Sequence, residues 1–338
     1  MRLEIEKGLQ GAIRQIKALE QKPKLIAIQI PEGLKTRALE IADRIEKASG
    51  AEAVIFSDPC FGACDLADAR ARQLGADLLV HFGHTKMLSS EIPAIYAPLG
   101  YEFNESELAG KIAEKLNELS FKKIALCATA QYAEKLGKIK KILGKKGIRA
   151  EIGTGGKRVA LAGQVLGCNY SAVASASNNA DAIVFVGDGL FHPLGISFSI
   201  SKPVLIANPL AEKVEEVRNQ RNMFLRKRYA AIALAKNAKV FGIIASTKRG
   251  QLNMRKALEI KKEIEKEGKK AYLIVGDLVK MEYLLGMELD ALVCTACPRI
   301  ALDDSALFGI PIITPNELEI VFGKRILENY KFEELKNL

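Results

Sequence analysis

The sequence predicts an α/β fold: three similar domains, each a short parallel sheet flanked by helices, in a pseudo-threefold arrangement from an internal triplication. Three observations predict it. One pattern recurs three times: a charged residue and an apolar strand (KLIAIQI from Lys24, KKIALCA from Lys122, AKVFGIIAS from Ala238), a helical stretch, then a second short strand. Each copy continues into a near-identical third strand, in ADLLVHFGH, ADAIVFVGDG and LDALVCTACP. Its opening aspartate is Asp77, Asp181 or Asp290, offset by 104 and 109 residues. These strands are runs of Val, Ile and Leu without polar alternation, the pattern of strands covered on both faces in a parallel sheet.

The remaining elements follow in order. Helical stretches over 34–48, 131–146 and 253–267 lie between the first and second strands. Gly147 and Gly268 stand where a helix needs a left-handed residue to end. Each copy closes on a Pro-bounded strand, in IPAIYAPLG, KPVLIANPL and IPIITPNEL. Strand–helix–strand alternation gives βαβ units and parallel pairing. The expected domains are 1–105, 106–213 and 214–338. A long basic helix over 211–236 is expected to join the last two as a solvated linker. In open parallel sheets ligands bind beyond the carboxyl ends of the strands, so three such domains around one axis aim those ends at one centre.

Composition narrows the function. The 338 residues are 49% hydrophobic and 27% charged, which excludes a disordered or collagen-like chain. No apolar run reaches the roughly 18 residues of a membrane span. The N-terminal MRLEIEKGLQGAIRQIKALE reads as an amphipathic helix rather than a secretory signal, which points to the cytoplasm. A net charge of +10 favours acidic partners. With 6% aromatics, no Trp and no basic–aromatic stripe, direct nucleic-acid contact is not expected. In a reducing compartment the six cysteines are thiols, catalysts or metal ligands. The single CxxC, Cys294 and Cys297, lacks the second pair of a zinc ribbon.

Candidate site residues stand at the strand ends. In SDPCFGACDLAD, Cys60 is flanked by Pro59 and Phe61-Gly62, a loop signature. In LAGQVLGCNYSAV, Cys168 follows Gly167 at a loop-to-helix entry. The third copy offers only an apolar helix, DLVKMEYLLG, at that place, and its cysteine, Cys297, comes seven residues after Asp290. The same position holds His84 and Asp188 in the other copies. One loop cysteine per copy suits a soft metal site. A 4Fe–4S cluster on three thiolates keeps one iron open. Zinc with three thiolates and an open position is the alternative, and three unrelated buried thiols the reading without a site. Cys127 and Cys294 lie inside strands and read as core thiols; Cys64, four residues after Cys60, shares a helical face with it if that segment is helical.

Two loops are candidate cofactor sites. In GDGLFHPLG, Gly187 and Gly189 allow close backbone approach, Asp188 can accept from an amine or hydroxyl, and His192 can donate to a carboxylate. In ASTKRGQLN, Lys248, Arg249 and Gln251 with the backbone N–H groups form a possible anion cradle, though the P-loop spacing is missing. Each has a plainer reading as a turn or a capped helix start. His81 reads as core and His84 as a strand-tip residue. No GxSxG, HExxH or Ser/His/Asp order appears, which argues against a hydrolase.

Together, SDPCFGACDLAD, GQVLGCN, GDGLFHPLG, STKRGQ and CPRIALDD resemble the archaeal diphthamide synthase subunit, the 2-(3-amino-3-carboxypropyl)histidine synthase family, over essentially the whole chain. The resemblance implies a homodimer and a 4Fe–4S cluster on one cysteine per domain, carried over to Cys60, Cys168 and Cys297. It implies S-adenosylmethionine as co-substrate, with GDGLFHPLG and STKRGQ the loops to hold it. It also implies transferase chemistry: reductive cleavage of the Cγ–S bond, release of methylthioadenosine, and addition of a 3-amino-3-carboxypropyl radical to the imidazole C2 of one histidine of elongation factor 2. An electron donor is then required. The CxxxCxxC motif of ordinary radical S-adenosylmethionine enzymes is absent. The competing readings are a quinolinate synthase-like enzyme and a non-catalytic three-domain ligand-binding protein.

Overall fold

The computed structural model describes residues 2–335. A short strand β1 (Arg2–Leu3) leads into the amphipathic helix Ile5–Lys17. The first sheet holds β2 (Leu25–Gln29), β3 (Glu52–Ile55), β4 (Leu78–Phe82) and β5 (Ala94–Ala97) in the order β3-β2-β4-β5, all parallel. Strand β6 (Tyr101–Glu102) returns antiparallel to β1. The second sheet holds β7 (Lys123–Ala128), β8 (Arg149–Glu151), β9 (Ala182–Val186), β10 (Val204–Asn208) and β11 (Lys213–Glu216) in the order β8-β7-β9-β10-β11. The third holds β12 (Val240–Ser246), β13 (Lys270–Gly276), β14 (Ala291–Cys294) and β15 (Ile312–Ile313), all parallel in the order β13-β12-β14-β15. The three sheets thus share one strand order, second-first-third-fourth.

The repeated aspartate has a structural task. Asp77 accepts from the backbone N–H groups of Lys24 and Leu25 at 2.7 and 3.0 Å. Asp181 does the same for Lys122 and Lys123, and Asp290 for Lys239 and Val240. Each carboxylate ties the start of the third strand to the start of the first, and these backbone donors hold all three below the ordinary aspartate range.

The third strands are buried along their whole length, as the apolar runs require. Residues 34–48 divide into a 3-10 turn (Glu32–Arg37) and the helix Ala38–Ser49. Residues 131–146 divide into Ala130–Ala133 and Leu136–Lys145. Gly147 and Gly268 end their helices at φ 77° and 72°. Where an apolar helix was expected over 277–286, only the 3-10 turn Met281–Tyr283 forms.

The expected linker helix over 211–236 is corrected in two respects. Residues Lys213–Glu216 form β11, antiparallel to β10, so the helix begins at Arg218 and ends at Lys236. Nor is the helix merely solvated. Arg228 is buried, with both Glu317 carboxylate oxygens accepting at 2.7 Å and the carbonyls of Ala301 and Ile312 at 2.7 and 2.8 Å. The helix is therefore bolted into the third unit. Further on, Phe332 packs into the core of the second unit beside Phe191 and Tyr170.

Candidate functional site

The six cysteines fall into two sets. Cys60, Cys127 and Cys294 are buried, whereas Cys64, Cys168 and Cys297 are partly accessible. The accessible three, one from each unit, line a single cavity of about 290 Å³ together with His84, Gln131, Arg158, Gln164, His192 and Arg299. It lies where the loops after the strands meet, as the sheet geometry demands. A larger groove of about 1190 Å³ runs between residues 197–221 and 319–331 but carries no cysteine.

Long-range contacts hold Cys64 and Cys168 in place, and a helix start holds Cys297. Gly250 donates to the Cys64 carbonyl at 3.0 Å. A Cβ on Gly250 would lie 2.5 Å from Cys64 Cα, so glycine alone lets the two backbones approach this closely. Gln251 Nε2 donates to Cys64 Sγ at 3.4 Å. Beside Cys168, Gly167 is pressed by the Phe191 ring, 2.5 Å from where a Cβ would stand. The Cys168 carbonyl accepts from Leu335 N at 2.9 Å. Cys297 is the N-cap position of the short helix Pro298–Leu302.

Arg158 is central to this assembly. It is buried and reaches the Leu335 carbonyl at 2.7 Å and the Gly250 carbonyl at 2.9 Å, with Met87 Sδ at 3.3 Å. It therefore touches the first and third units from the second. Its Nε is buried without a hydrogen-bond partner among the described residues. Burial pushes all three cavity thiols above the ordinary cysteine range, Cys168 to about 11, and Arg158 opposes this at Cys64 and Cys168. Three thiols facing one cavity with a fixed cation at the wall make a donor set for a soft, thiolate-bound metal centre.

Comparisons with known proteins give the family. Residues 30–332 match the family model described as "Putative diphthamide synthesis protein". The chain belongs to the diphthamide synthesis family. It is 39% identical to the 2-(3-amino-3-carboxypropyl)histidine synthase of Pyrococcus horikoshii, covering 92% of this chain and 89% of that protein. It is 32% identical to the synthase of the same name from Methanocaldococcus jannaschii, covering 96% and 91%. The structure superposes on the crystal structure of Dph2 from Pyrococcus horikoshii with a 4Fe-4S cluster at a TM-score of 0.88 and 37% identity, covering 96% and 93% of the two chains. Membership in the diphthamide synthesis family sets aside the quinolinate synthase alternative. Among the described residues no helix is long and apolar enough to cross a membrane.

Within this family member, the residues read from the sequence have separate fates. Cys168 and Cys297 come together. Cys60 does not join them; Cys64 takes that place, because the turn after Pro59 directs Cys60 inward, with 4% of its surface exposed. Its sulfur stands near the ring nitrogens of His81 and His84. Cys127 and Cys294 are core thiols as expected. Of GDGLFHPLG, only His192 lines the cavity, stacked on Phe185 with ring centroids 5.9 Å apart. Burial lowers its pKa to about 4, so it is neutral at physiological pH. Asp188 is exposed and accepts from the Tyr132 hydroxyl at 3.0 Å; Gly187 and Gly189 are not among the cavity residues.

The STKRGQ loop is no anion cradle. Lys248 is spent on Asp65 at 2.7 Å and Asp277 at 3.1 Å, Arg249 pairs with Asp68, and Gln251 faces Cys64. The loop clamps the third unit onto the first. Sequence reasoning missed Arg158, Gln164 and Thr85, the last two joined by a 2.8 Å hydrogen bond between units. The placement of Gln164 and Arg158 just before Cys168, on the loop leading to it, was the available signal.

Proposed function

We propose that this chain transfers a 3-amino-3-carboxypropyl group from S-adenosylmethionine to a histidine of elongation factor 2, using a 4Fe–4S cluster held by Cys64, Cys168 and Cys297. The observation that carries the reading is the meeting of one partly accessible thiol from each unit at one cavity, in a chain of this family. When bound, such a cluster supplies an electron from an iron that three-thiolate ligation leaves open, which suits reductive cleavage of a carbon–sulfur bond.

The chain's own residues do the rest. Arg158 places positive charge beside sulfurs that must give up their protons to bind metal. The Gln251 amide donates to Cys64, a contact that favours the thiolate. Gln131 and neutral His192 provide polar groups at the cavity wall for a zwitterionic co-substrate, and Gln164 fixes the wall by its bonds to Thr85 and Leu161. His192 keeps its proposed co-substrate role, and Gln251 acts through Cys64. Gly187, Asp188, Gly189 and Lys248 leave the binding set, because none lines the cavity, and Asp188 and Lys248 are engaged by Tyr132, Asp65 and Asp277. Family membership supports a cytoplasmic homodimer served by an electron donor; the first domain divides from the second at about 105, and the second from the third after Glu216 rather than at 213, because Lys213–Glu216 completes the second sheet.

Anaerobic reconstitution tests this. Reduced protein with S-adenosylmethionine is expected to give methylthioadenosine and aminocarboxypropylated elongation factor 2, and oxidised protein neither. Cys64→Ala, Cys168→Ala and Cys297→Ala are each expected to lose the cluster absorbance, and Cys127→Ala to keep it. A cluster that survives Cys64→Ala, or 5′-deoxyadenosine as the main product, overturns the reading.

A further inference from the structure

Cys60, displaced from the cavity, stands with His81 and with His84, which also reaches the cavity wall. Its sulfur and one ring nitrogen from each of His81 and His84 lie within 4.8 Å of one another. Cys60 and His81 are buried, at 4% and 0% exposure. The three come from two segments of the first unit, the turn after Pro59 and the end of β4.

The hydrogen bonds around them fix which atoms are free. Gln29 Nε2 donates to the Asp65 carbonyl at 2.6 Å, so its Oε1 is the acceptor end; that oxygen also accepts from Ala67 N at 3.0 Å. His81 Nδ1, 2.8 Å from Oε1, must therefore carry the hydrogen and donate. This leaves the lone pair of His81 on Nε2, which lies 3.0 Å from His84 Nδ1. A histidine whose far nitrogen donates to a fixed carbonyl oxygen is the usual arrangement behind a metal-bound imidazole. Two nitrogens at roughly 2.05 Å from a tetrahedral ion stand about 3.3 Å apart, so the pair is spaced to share one.

Burial lowers His81 to about 3 and His84 to about 4, so both rings are neutral and keep lone pairs across the physiological range. Asp65 acts electrostatically on the Cys60 thiol, and its Oδ2 is buried without a hydrogen-bond partner among the described residues. Its other oxygen, Oδ1, is held by Lys248 at 2.7 Å, so the carboxylate's charge is already paired and the proposed site rests on Cys60, His81 and His84 alone.

We propose that Cys60, His81 and His84 form a second, mononuclear site for a divalent transition metal such as zinc, separate from the three cavity thiols. Binding forms one metal–sulfur and two metal–nitrogen bonds. It breaks the His81–His84 hydrogen bond, moves the His84 hydrogen from Nδ1 to Nε2, and releases the Cys60 thiol proton to solvent. A fourth position remains for water.

The test uses cobalt(II) as probe and the full chain carrying Cys64→Ala, Cys168→Ala and Cys297→Ala together, so that no cavity thiol contributes. One equivalent of cobalt is expected to bind with the visible bands of a tetrahedral ion and a thiolate-to-cobalt charge-transfer band. Adding Cys60→Ala is expected to remove that charge-transfer band, and Gln29→Leu to weaken binding about 10- to 100-fold. Cadmium NMR on the cluster-loaded protein with no substitution covers the case in which the triple variant fails to fold; one resonance shifted by a single sulfur ligand is expected. Failure of cobalt to bind the folded triple variant, a charge-transfer band that persists without Cys60, or no bound cadmium resonance overturns the proposal. The cobalt readout is taken with no cavity thiol and no cluster present, so it fails or succeeds apart from the proposed transferase reaction.

Discussion

Replacing Gly250 by alanine should strike the cavity without touching a thiol. The added Cβ would lie 2.5 Å from Cys64 Cα, 2.6 Å from Cys64 Cβ and 2.7 Å from the Cys64 carbonyl oxygen. None of these atoms can rotate away. Ordinary contact begins at 3.4 Å, so the two loops must separate by about 0.7–0.9 Å. That motion stretches the 3.0 Å bond from Gly250 N to Cys64 and the 2.9 Å bond from Arg158 to the Gly250 carbonyl. Overpacking of this kind costs about 1–3 kcal/mol, a fall in melting temperature of about 2–10 °C. The larger effect should be on metal content, because Cys64 is carried away from Cys168 and Cys297. Gly110→Ala is the control: Gly110 sits inside the helix Glu105–Glu118 with nothing within 4 Å of the new methyl, and should gain about 0.5–1 kcal/mol. Thermal melting and iron analysis after identical reconstitution read both. A Gly250→Ala protein that melts with the parent and holds the same iron would show that the third unit does not position Cys64.

Two further outcomes are expected. Arg228→Met should cost about 3–5 kcal/mol, read by denaturant unfolding, because it leaves the buried Glu317 carboxylate with its charge uncompensated; an unchanged unfolding midpoint would contradict this. Burial raises Glu333 to about 7, so the folded state holds its proton more tightly than the unfolded state does; the stability this contributes is complete below about pH 4.5 and fades as pH rises through about 7. Glu333→Gln should flatten that slope between about pH 5 and 8 in unfolding midpoints, and an unaltered slope would assign it to another group.

The triplication was legible because it is written in local pattern. Apolar runs give the strands, and each recurring aspartate reports the same strand start. The edge strand Lys213–Glu216 was not legible, since its short charged run KVEE reads equally well as a helix until β10 is there to pair with it. The burial of Arg228 was hidden for a similar reason, because Glu317 lies 89 residues away. The choice between Cys60 and Cys64 is the sharpest case. Pro59 and Phe61-Gly62 mark Cys60 as a loop residue, Cys64 reads only as its neighbour on a helical face, and the contact that holds Cys64 at the cavity comes from Gly250, 186 positions later in the chain. Local chemistry identified the loop, and the turn after Pro59 together with a distant backbone contact selects the cysteine.

The segment 332–335 gives the cavity a place in the history of the molecule. Leu335 binds Cys168 through its N–H and Arg158 through its carbonyl, and Phe332 fills the core beneath them. The second unit is made before this segment and can form its sheet as it emerges, since units fold in the order of synthesis. Its cysteine, however, is not fixed until residues more than 160 positions later have been added. Assembly of a metal centre is thereby tied to a chain that has reached residue 335, and a ribosome-bound fragment carrying the first two units would present two thiols without the Gly250 and Leu335 contacts that hold them.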